Sequence, residues 1–289
     1  MLIDYIVDYC NKTYRKNSCD DCNHPTGCKG DCKECLDEIH WLRRDGRQDY
    51  NCERLLNYYT CRYSFKYCSE ISYALNEIDL GNYPRYDILS LGCGAAPGLM
   101  AFDYINQMAK KPIRYRGYDR NTLWEPIHDE VESYTMSKCS DVDAKLRLKD
   151  VFYVLLKNKS RSNYNVIIIQ YLISHLYNTK QIYAIDKLLD GLIDNVLKYK
   201  RNDSPLLIII NDIDSNNKGR DCFWPFCNKV MNAGYQVNAI AKCFKPELHL
   251  KDATQYPYPH NKFSIPDDIK DYYKCAIECT SAQLIIEVR

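Results

Sequence analysis

The sequence predicts an α/β protein with a mostly parallel sheet, and three observations support this prediction. A short apolar run at residues 88–91 leads into a glycine-rich turn at 92–98, and a helical pattern follows at 99–108. The segments 165–170 and 205–212 each contain a continuous apolar run, which is typical of strands that are buried on both faces of a parallel sheet. The succession of strand, glycine turn and helix predicts the beginning of a Rossmann-type unit.

The glycine-rich turn carries the main signal for ligand binding. Gly92, Gly94 and Gly98 give the spacing Gly-x-Gly-x-x-x-Gly. Glycine suits such a turn because the backbone can bend sharply and approach a ligand closely, which a Cβ would obstruct. The next predicted strand, 113–119, ends in Asp119, about 20 residues after the turn, where Rossmann-type folds place a carboxylate for ribose hydroxyls. A tight strand-to-helix turn without a ligand is the alternative interpretation, but it does not require an acid at this position.

Residues 83–289 resemble the class I S-adenosylmethionine-dependent methyltransferases. The stretch from Leu89 to Gly98 is similar to the first motif of this family, with Ser90 where the family usually has Asp or Glu. A dinucleotide-binding domain would place the third glycine one position earlier, so the spacing favours S-adenosylmethionine over a nicotinamide cofactor. The last two predicted strands, 235–244 and 281–288, match the antiparallel pair of this family. The resemblance implies a Rossmann-like, seven-stranded, mostly parallel sheet with an antiparallel last strand.

The resemblance also implies a set of cofactor-binding residues. They are Leu91, Gly92, Cys93, Gly94, Gly98, Asp119, Arg120, Asp150, Val151 and Gln170. Asp150 and Val151 match the acid and the apolar residue that contact adenine in the family, although Asp150 is equally compatible with an ordinary surface position. Tyr171 and His175 follow the predicted strand 165–170, whose end faces the transferred methyl group in the family, and both are candidate catalytic residues. His175 is a candidate general base because imidazole titrates near neutral pH, or else an ordinary helix residue.

The first part of the chain is rich in cysteine. Among the 16 cysteines, two Cys-x-x-Cys pairs begin at Cys19 and Cys32, in a segment whose Gly, Pro, Asp and Asn residues do not suit a hydrophobic core. Two residues between cysteines let both thiolates face one tetrahedral ion. Eight residues can fill two four-ligand zinc sites: Cys19, Cys22, Cys28, Cys32, Cys35, His40, Cys52 and Cys61. An iron–sulfur cluster, or a chance cluster of buried free cysteines, is the alternative.

A segment with Gly and Pro at 80–84 predicts the boundary between two domains. Residues 1–82 are predicted to form a small, mainly helical, cysteine-rich zinc-binding domain, and residues 83–289 the methyltransferase domain. The N-terminus lacks the basic region of a signal peptide, and no apolar run reaches the roughly 18 residues of a membrane span. We therefore expect a cytoplasmic location without membrane attachment, where clustered thiols more often bind metal than form disulfides.

The methyl acceptor is the property that the sequence constrains least. A net charge of +1 means that any binding of nucleic acid needs a local basic patch. Basic residues are interleaved with aromatic ones in a pattern that suits phosphate contacts and base stacking, and that equally suits a solvated helix face with core tyrosines. The basic residues are Arg43, Arg44, Arg47, Arg54, Arg62 and Lys66, and the aromatic residues are Trp41, Tyr50, Tyr58, Tyr59 and Tyr63.

Motifs that specify an acceptor atom are missing from the sequence. No Asp/Asn-Pro-Pro-Tyr/Phe motif follows Ile169, and no Pro-Cys dipeptide occurs. The hypothesis we favour is an S-adenosylmethionine-dependent methyltransferase that acts on nucleic acid, RNA before DNA, with one or two zinc ions in a domain that helps to bind the substrate. The alternatives are a methyltransferase of a protein or small molecule, and a non-catalytic zinc module that binds S-adenosylmethionine as a sensor. The sequence does not give the oligomeric state.

Overall fold

The computed structural model describes residues 1–16, 18–19, 30–40, 50–157, 163–201, 203–215, 219–245 and 252–289. The helices in these ranges are α1 (Leu2–Lys16), α2 (Cys32–His40), α3 (Glu53–Asn76), α4 (Pro97–Ala109), α5 (Glu125–Lys138), α6 (Val151–Lys157), α7 (Leu172–Asn178), α8 (Ile182–Asn195), α9 (Phe223–Asn232) and α10 (Asp267–Tyr273). The strands are β1 (Tyr86–Leu91), β2 (Ile113–Asp119), β3 (Val142–Leu148), β4 (Val166–Gln170), β5 (Leu206–Ile213), β6 (Val237–Cys243), β7 (Thr254–Gln255) and β8 (Ser281–Val288). None of these helices is long and apolar enough to cross a membrane.

The described strands form one sheet of eight, in the order β3-β2-β1-β4-β5-β8-β6-β7. Strands β1 to β5 pair in parallel, and β8 is antiparallel to both β5 and β6. The prediction of a mostly parallel sheet with an antiparallel last strand is confirmed. The predicted count of seven strands is exceeded by β7, which has two residues and pairs with β6. A strand this short leaves no periodic pattern in a sequence.

The direction in which the chain winds changes between β1 and β4. From β1 the chain continues outward through β2 and β3, whereas β4 and β5 lie on the other side of β1. In open α/β sheets such a switch point opens a crevice at the carboxyl ends of the strands, and ligands bind there. The carboxyl ends of β1 and β4 lie side by side, because Leu91 is paired with Ile169.

The central strands are buried on both faces, as their continuous apolar sequences predict. Side chains alternate along a strand, so Ile88 belongs to one core cluster and Leu89 to the other. Phe65 of α3 packs in the first cluster, and Leu188 of α8 and Phe226 of α9 pack in the second. The sheet is therefore covered by helices on both sides, and the crevice at the switch point opens at its carboxyl edge.

Helices α1 and α3 share a core with the sheet. Ile6 of α1 and Phe65 and Ile71 of α3 lie in the same cluster as Ile209 of β5, and all four side chains are buried. Removing this apolar surface from water stabilises the packing of both helices. The division of the chain at residue 82 stays a prediction, and α1 and α3, which precede it, are packed directly against the part that follows it.

Candidate cofactor and active site

The glycine-rich turn lies at the carboxyl end of β1, at the switch point of the sheet. Gly92 and Gly94 have φ values of +66° and +48°, a region in which a residue with a Cβ is strained. The backbone N–H groups of Gly92 and Cys93 donate to the carbonyl oxygen of Tyr118, at 2.8 and 3.0 Å. The turn is thereby tied to the end of β2, and α4 begins directly after it at Pro97.

Asp119 ends β2 and holds the glycine turn. One carboxylate oxygen accepts a hydrogen bond from the N–H of Gly94 at 3.0 Å, and the other accepts one from the N–H of Asn121 at 3.0 Å. Burial raises the pKa of Asp119, while these N–H donors and the imidazoles of His128 and His175 oppose that shift. Each carboxylate oxygen can accept a further hydrogen bond. Asp119 can therefore bind two hydroxyl groups of a ligand.

A cavity of about 540 Å³ opens at this end of the sheet. Its size lies in the range of small-molecule and cofactor sites. Nine of the predicted site residues line it: Gly92, Gly94, Asp119, Arg120, Asp150, Val151, Gln170, Tyr171 and His175. They follow four different strands, so the tertiary structure brings most of the predicted cofactor-binding and catalytic residues into one site.

The remaining predicted cofactor residues lie beside this cavity or behind it. Cys93 and Gly98 line a smaller pocket of about 40 Å³, together with Ser90 and Gln170. Burial raises the pKa of the Cys93 thiol well above its usual value. Leu91 is completely buried in the core cluster of α8 and α9. Only its backbone can contribute to the site.

Apolar side chains stand near Asp119 in the large cavity. Trp124, Val151 and Phe152 line its wall, and a Cβ added at Gly94 would lie 3.5 Å from the Trp124 ring. A carboxylate beside an apolar wall suits a ligand that has a flat base next to two hydroxyl groups. The site therefore fits a nucleoside.

Helix α3 and the residues just before it form a wall of the cavity that the sequence did not predict. Tyr59 and Tyr67 line both the large cavity and the smaller pocket, and Tyr50 lines the large cavity. The carbonyl oxygen of Tyr67 accepts a hydrogen bond from Nε2 of Gln170 at 3.0 Å. These tyrosines were visible in the sequence, but their spacing does not indicate that they face the glycine turn.

Tyr171 follows β4 with a φ of +55°, and its hydroxyl is engaged inside the protein. The hydroxyl lies 3.0 and 3.1 Å from the carboxylate oxygens of Glu70, and it accepts a hydrogen bond from Nζ of Lys66 at 3.1 Å. Burial, and then the charge of Glu70, raise the pKa of Tyr171 well above its usual value. Its phenol stays neutral at physiological pH, and its hydroxyl is bound to Glu70 and Lys66. A catalytic role for Tyr171 stays a prediction, and it would depend on contacts of the ring.

His175 lies on α7 and lines the cavity, with its ring centroid 6.3 Å from that of Tyr50. The beginning of α7 is held by Asp212, whose Oδ2 accepts hydrogen bonds from the N–H groups of Ile173 and Ser174, both at 3.1 Å. Burial raises the pKa of Asp212 to about 7, although these hydrogen bonds oppose the shift. The helix that carries His175 is thus anchored by a buried acid.

We expect Asp212 to make the stability of the protein depend on pH. Its pKa changes from 3.8 without burial to about 7 in the folded protein, so the folded state binds more protons between these values. The wild type should therefore lose stability relative to Asp212→Asn as pH rises from about 4 to about 7. Above that range, the free energy of unfolding of the wild type minus that of the variant should stay constant. Urea unfolding of both proteins at several pH values measures this difference. A difference that does not change with pH would contradict the prediction.

The thiol of one predicted metal ligand, Cys32, interacts electrostatically with the thiols of three others: Cys19, Cys35 and Cys52. Burial is the main cause that raises the pKa of the Cys32 thiol, and the other three thiols add to it. Within the described ranges, however, no group of three or more His, Cys, Asp or Glu side chains has a geometry that could hold a metal ion. The zinc-binding domain is therefore not supported by the part of the chain that the structure describes.

The other predicted metal ligands are placed differently. Cys22, Cys28 and the side chain of His40 lie outside the described residues. Cys61 is completely buried between α1 and α3, where its Sγ lies 3.6 Å from the carbonyl oxygen of Val7. Cys61 is not among the thiols that interact with Cys32, because its position in the middle of α3 places it in the helical core.

The described members of the basic and aromatic pattern contact other parts of the protein. The guanidinium carbon of Arg54 lies 4.2 Å from the ring centroid of Tyr14, and Arg62 donates a hydrogen bond to the hydroxyl of Tyr58 at 3.2 Å. Tyr58 is buried in the core, with 4% of its surface exposed. These contacts favour core tyrosines over a nucleic-acid surface for α3. Trp41, Arg43, Arg44 and Arg47 lie outside the described residues.

Comparison with known proteins gives matches among solved structures. No protein-family model matches the chain, and a search of curated proteins finds no match. The plantazolicin methyltransferase BpumL, solved with SAH, is 12% identical with a TM-score of 0.46, over 98% of this chain and 99% of that chain. A SAM-dependent methyltransferase from Archaeoglobus fulgidus is 14% identical with a TM-score of 0.41, over 77% of this chain and 94% of that chain. A SAM-dependent methyltransferase from Leishmania major is 10% identical with a TM-score of 0.44, over 98% of this chain and 91% of that chain.

These three solved structures are S-adenosylmethionine-dependent methyltransferases. Their identities of 10–14% and TM-scores below 0.5 carry no argument about the activity or the substrate of this chain. Its function is therefore derived from the geometry of its own site.

Proposed function

We propose that this protein is an S-adenosylmethionine-dependent methyltransferase. The observation that carries the proposal is the hydrogen bond between Asp119 and the N–H of Gly94, which holds an acid against the glycine turn at the switch point of the sheet. An acid that only stabilised the turn would need no cavity beside it. Here a cavity of about 540 Å³ lies in front of both groups.

In this proposal, different residues of the site bind different parts of the cofactor. Asp119 accepts hydrogen bonds from the ribose hydroxyls, with Arg120 beside it, and Asp150 and Val151 contact the adenine. The amino-acid end of the cofactor is surrounded by Gly92, Cys93, Gly94, Gly98, Gln170 and the backbone of Leu91. The positive φ values of the turn allow the ligand to approach the backbone there.

Bound S-adenosylmethionine supplies a methyl group on a positively charged sulfur. The protein's own part is to hold the acceptor in line and to exclude water, and such positioning supplies much of the acceleration. His175 lines the cavity, and histidine is the commonest general base in enzymes, so it remains the candidate general base. Tyr171 contributes its ring to the wall of the site.

Binding of the cofactor is the direct test of this proposal. We expect titration calorimetry to show binding of S-adenosylmethionine and of its product S-adenosylhomocysteine, because both carry the ribose and adenine that the site fits. NAD should not bind, because the third glycine is displaced from the dinucleotide-binding spacing. Binding of NAD without S-adenosylhomocysteine would contradict the proposal.

The class of acceptor is open to a second experiment on the same protein. Nucleic acid, RNA before DNA, stays the predicted acceptor, and its support is the arginines at 43–47 together with the tyrosines near the cavity. Incubation with radiolabelled S-adenosylmethionine and fractionated cell extract reports whether RNA, protein or small molecules become labelled. Binding of the cofactor without label in any fraction would favour a sensor without transfer activity.

The cytoplasmic location stays a prediction, and so does zinc in the segment 19–61. The support for zinc is the electrostatic interaction of the Cys32 thiol with the thiols of Cys19, Cys35 and Cys52. We expect elemental analysis of the purified protein to find one or two zinc ions. The protein should be colourless, since Zn²⁺ is d¹⁰. Cys32→Ser should lose metal, whereas Cys227→Ser in α9 should retain it. Protein free of metal, with segment 19–61 still resistant to proteolysis, would exclude the zinc site, and a brown preparation would indicate iron–sulfur instead.

A further inference from the structure

We infer that the side of the cavity lined by α3 and α7 binds an uncharged planar ring, and that this ring is the part of the substrate that receives the methyl group. The inference rests on the proposed function and names the class of its acceptor. We call this side the acceptor half. It is formed by Tyr50, Tyr59, Tyr67, Gln170, Tyr171 and His175.

The acceptor half is a nearly continuous aromatic wall. The ring centroids of Tyr67 and Tyr171 are 4.5 Å apart, and those of Tyr59 and Tyr67 are 6.0 Å apart. The wall continues from Tyr59 to Tyr50 at 5.2 Å and from Tyr50 to His175 at 6.3 Å. Aromatic rings attract one another at such separations in tilted and offset arrangements. A further planar ring can join this arrangement with favourable contacts on several sides.

The tyrosines of this wall carry no formal charge. Burial raises the pKa of Tyr50, Tyr67 and Tyr171 well above the usual value, so their hydroxyls stay neutral. Of the described residues that line the whole cavity, Asp119, Arg120 and Asp150 are the charged ones, and they lie on the side assigned to the nucleoside.

This charge pattern favours an uncharged ring over a charged one. With S-adenosylhomocysteine bound, whose sulfur is uncharged, an anionic group placed against the aromatic wall would lose its hydration, which is costly. A cationic group would be repelled by the positive sulfur of the bound cofactor. A neutral ring meets neither cost, because its apolar faces gain from burial.

Gln170 adds a polar contact at the edge of this wall. Its Nε2 is fixed by the hydrogen bond to the carbonyl oxygen of Tyr67 at 3.0 Å, so its Oε1 is fixed as well. This Oε1 is buried and has no hydrogen-bond partner among the described residues. A buried acceptor without a donor is unfavourable. Because this oxygen itself is closed to the cavity, we expect recognition of the ligand to depend on the rings of the wall.

Two sources offer such a ring: a free aromatic small molecule, and the base of a nucleic acid, which proteins bind by stacking on aromatic side chains. Titration calorimetry of the full chain saturated with S-adenosylhomocysteine distinguishes them. The probes are p-cresol as a free ring, cytidine as a base, benzoate as an anionic ring and cyclohexanol as a non-planar ring. We expect p-cresol or cytidine to bind, and benzoate and cyclohexanol to bind at least roughly ten-fold more weakly.

Variants of Tyr50 test whether its ring is the cause. Tyr50→Leu removes the ring and should weaken the better probe by roughly three- to ten-fold, whereas Tyr50→Phe keeps the ring and should bind as the wild type does. Tyr183→Leu is the matched control, because Tyr183 is 86% exposed on α8 and does not line the cavity. Thermal unfolding and S-adenosylhomocysteine binding of each variant report whether the fold and the cofactor site are intact.

Several results would overturn the inference. These are equal or tighter binding of benzoate or cyclohexanol, equal effects of Tyr50→Leu and Tyr50→Phe, or no binding of either planar probe to protein that binds S-adenosylhomocysteine. Failure of S-adenosylhomocysteine itself to bind would contradict the proposed function instead. In that case the same titrations on the free protein still decide whether the aromatic wall binds a neutral ring.

Discussion

Replacing Asp119 by alanine is expected to weaken binding of S-adenosylhomocysteine by roughly 10²- to 10⁴-fold. The carboxylate is placed to accept two hydrogen bonds from ribose hydroxyls, and a hydrogen bond to a charged group contributes about 1.5–3 kcal/mol. Loss of both therefore costs about 3–6 kcal/mol of binding free energy. The substitution also leaves the N–H groups of Gly94 and Asn121 without their acceptor, which loosens the turn itself. Titration calorimetry measures the affinity.

Two further variants separate these causes. Asp119→Asn keeps the size of the side chain and one oxygen, so it should bind between the wild type and the alanine variant. Asp268→Ala removes an exposed carboxylate at the start of α10, which does not line the cavity, and should bind as the wild type does. Unchanged affinity in Asp119→Ala would remove Asp119 from the site and leave the proposed function without its main support.

Replacing Glu70 by alanine is expected to destabilise the protein by about 3–5 kcal/mol, the cost of breaking a buried ion pair. The Glu70 side chain is completely buried. Its carboxylate accepts hydrogen bonds from Asn211 Nδ2 at 2.8 Å, from the Tyr171 hydroxyl at 3.0 Å and from the Thr280 N–H at 3.2 Å, and it lies 3.6 Å from Nζ of Lys66. The alanine variant leaves the Lys66 ammonium group without its counter-ion and three donors without this acceptor in the core. Urea unfolding measures the loss in free energy of unfolding.

The matched control is Asp186→Ala on α8. Asp186 is 73% exposed and lies 3.2 Å from Nζ of Lys229, so removal of this surface pair should change stability by at most about 1 kcal/mol. Glu70→Gln keeps the volume and one acceptor oxygen, so its loss should be smaller than that of Glu70→Ala. A loss in Glu70→Ala as small as that in Asp186→Ala would mean that the network between α3 and the sheet does not stabilise the fold.

Much of the fold follows from local patterns. Strands β4 and β5 each contain a continuous run of branched apolar residues, which is typical of a strand buried on both faces, and the structure places both in the centre of the sheet. The glycine turn and Asp119 are separated by one helix and one strand, so their spacing along the chain determines where they meet. The strand β7 could not be predicted in this way, because two residues are too few to form a periodic pattern.

The position of α3 on the sheet cannot be predicted from the sequence. Lys66 and Glu70 are four residues apart, which in a sequence is the mark of an exposed ion pair on a helix. In the structure both are buried, and Glu70 bonds to Asn211 in β5. No local pattern contains this contact, because its partners are 141 residues apart and it exists only once α3 has packed against the sheet.

The sequence by itself determined the α/β class, the glycine turn and the acid at the end of β2, because each depends on residues that are neighbours along the chain. Only the tertiary structure decided that Tyr59 and Tyr67 form a wall of the cavity. It also decided that Tyr171 is held by Glu70 and that Cys61 lies apart from the other cysteines. The physical reason is that burial and hydrogen bonding between distant segments depend on how helices pack on the sheet, which periodicity does not encode.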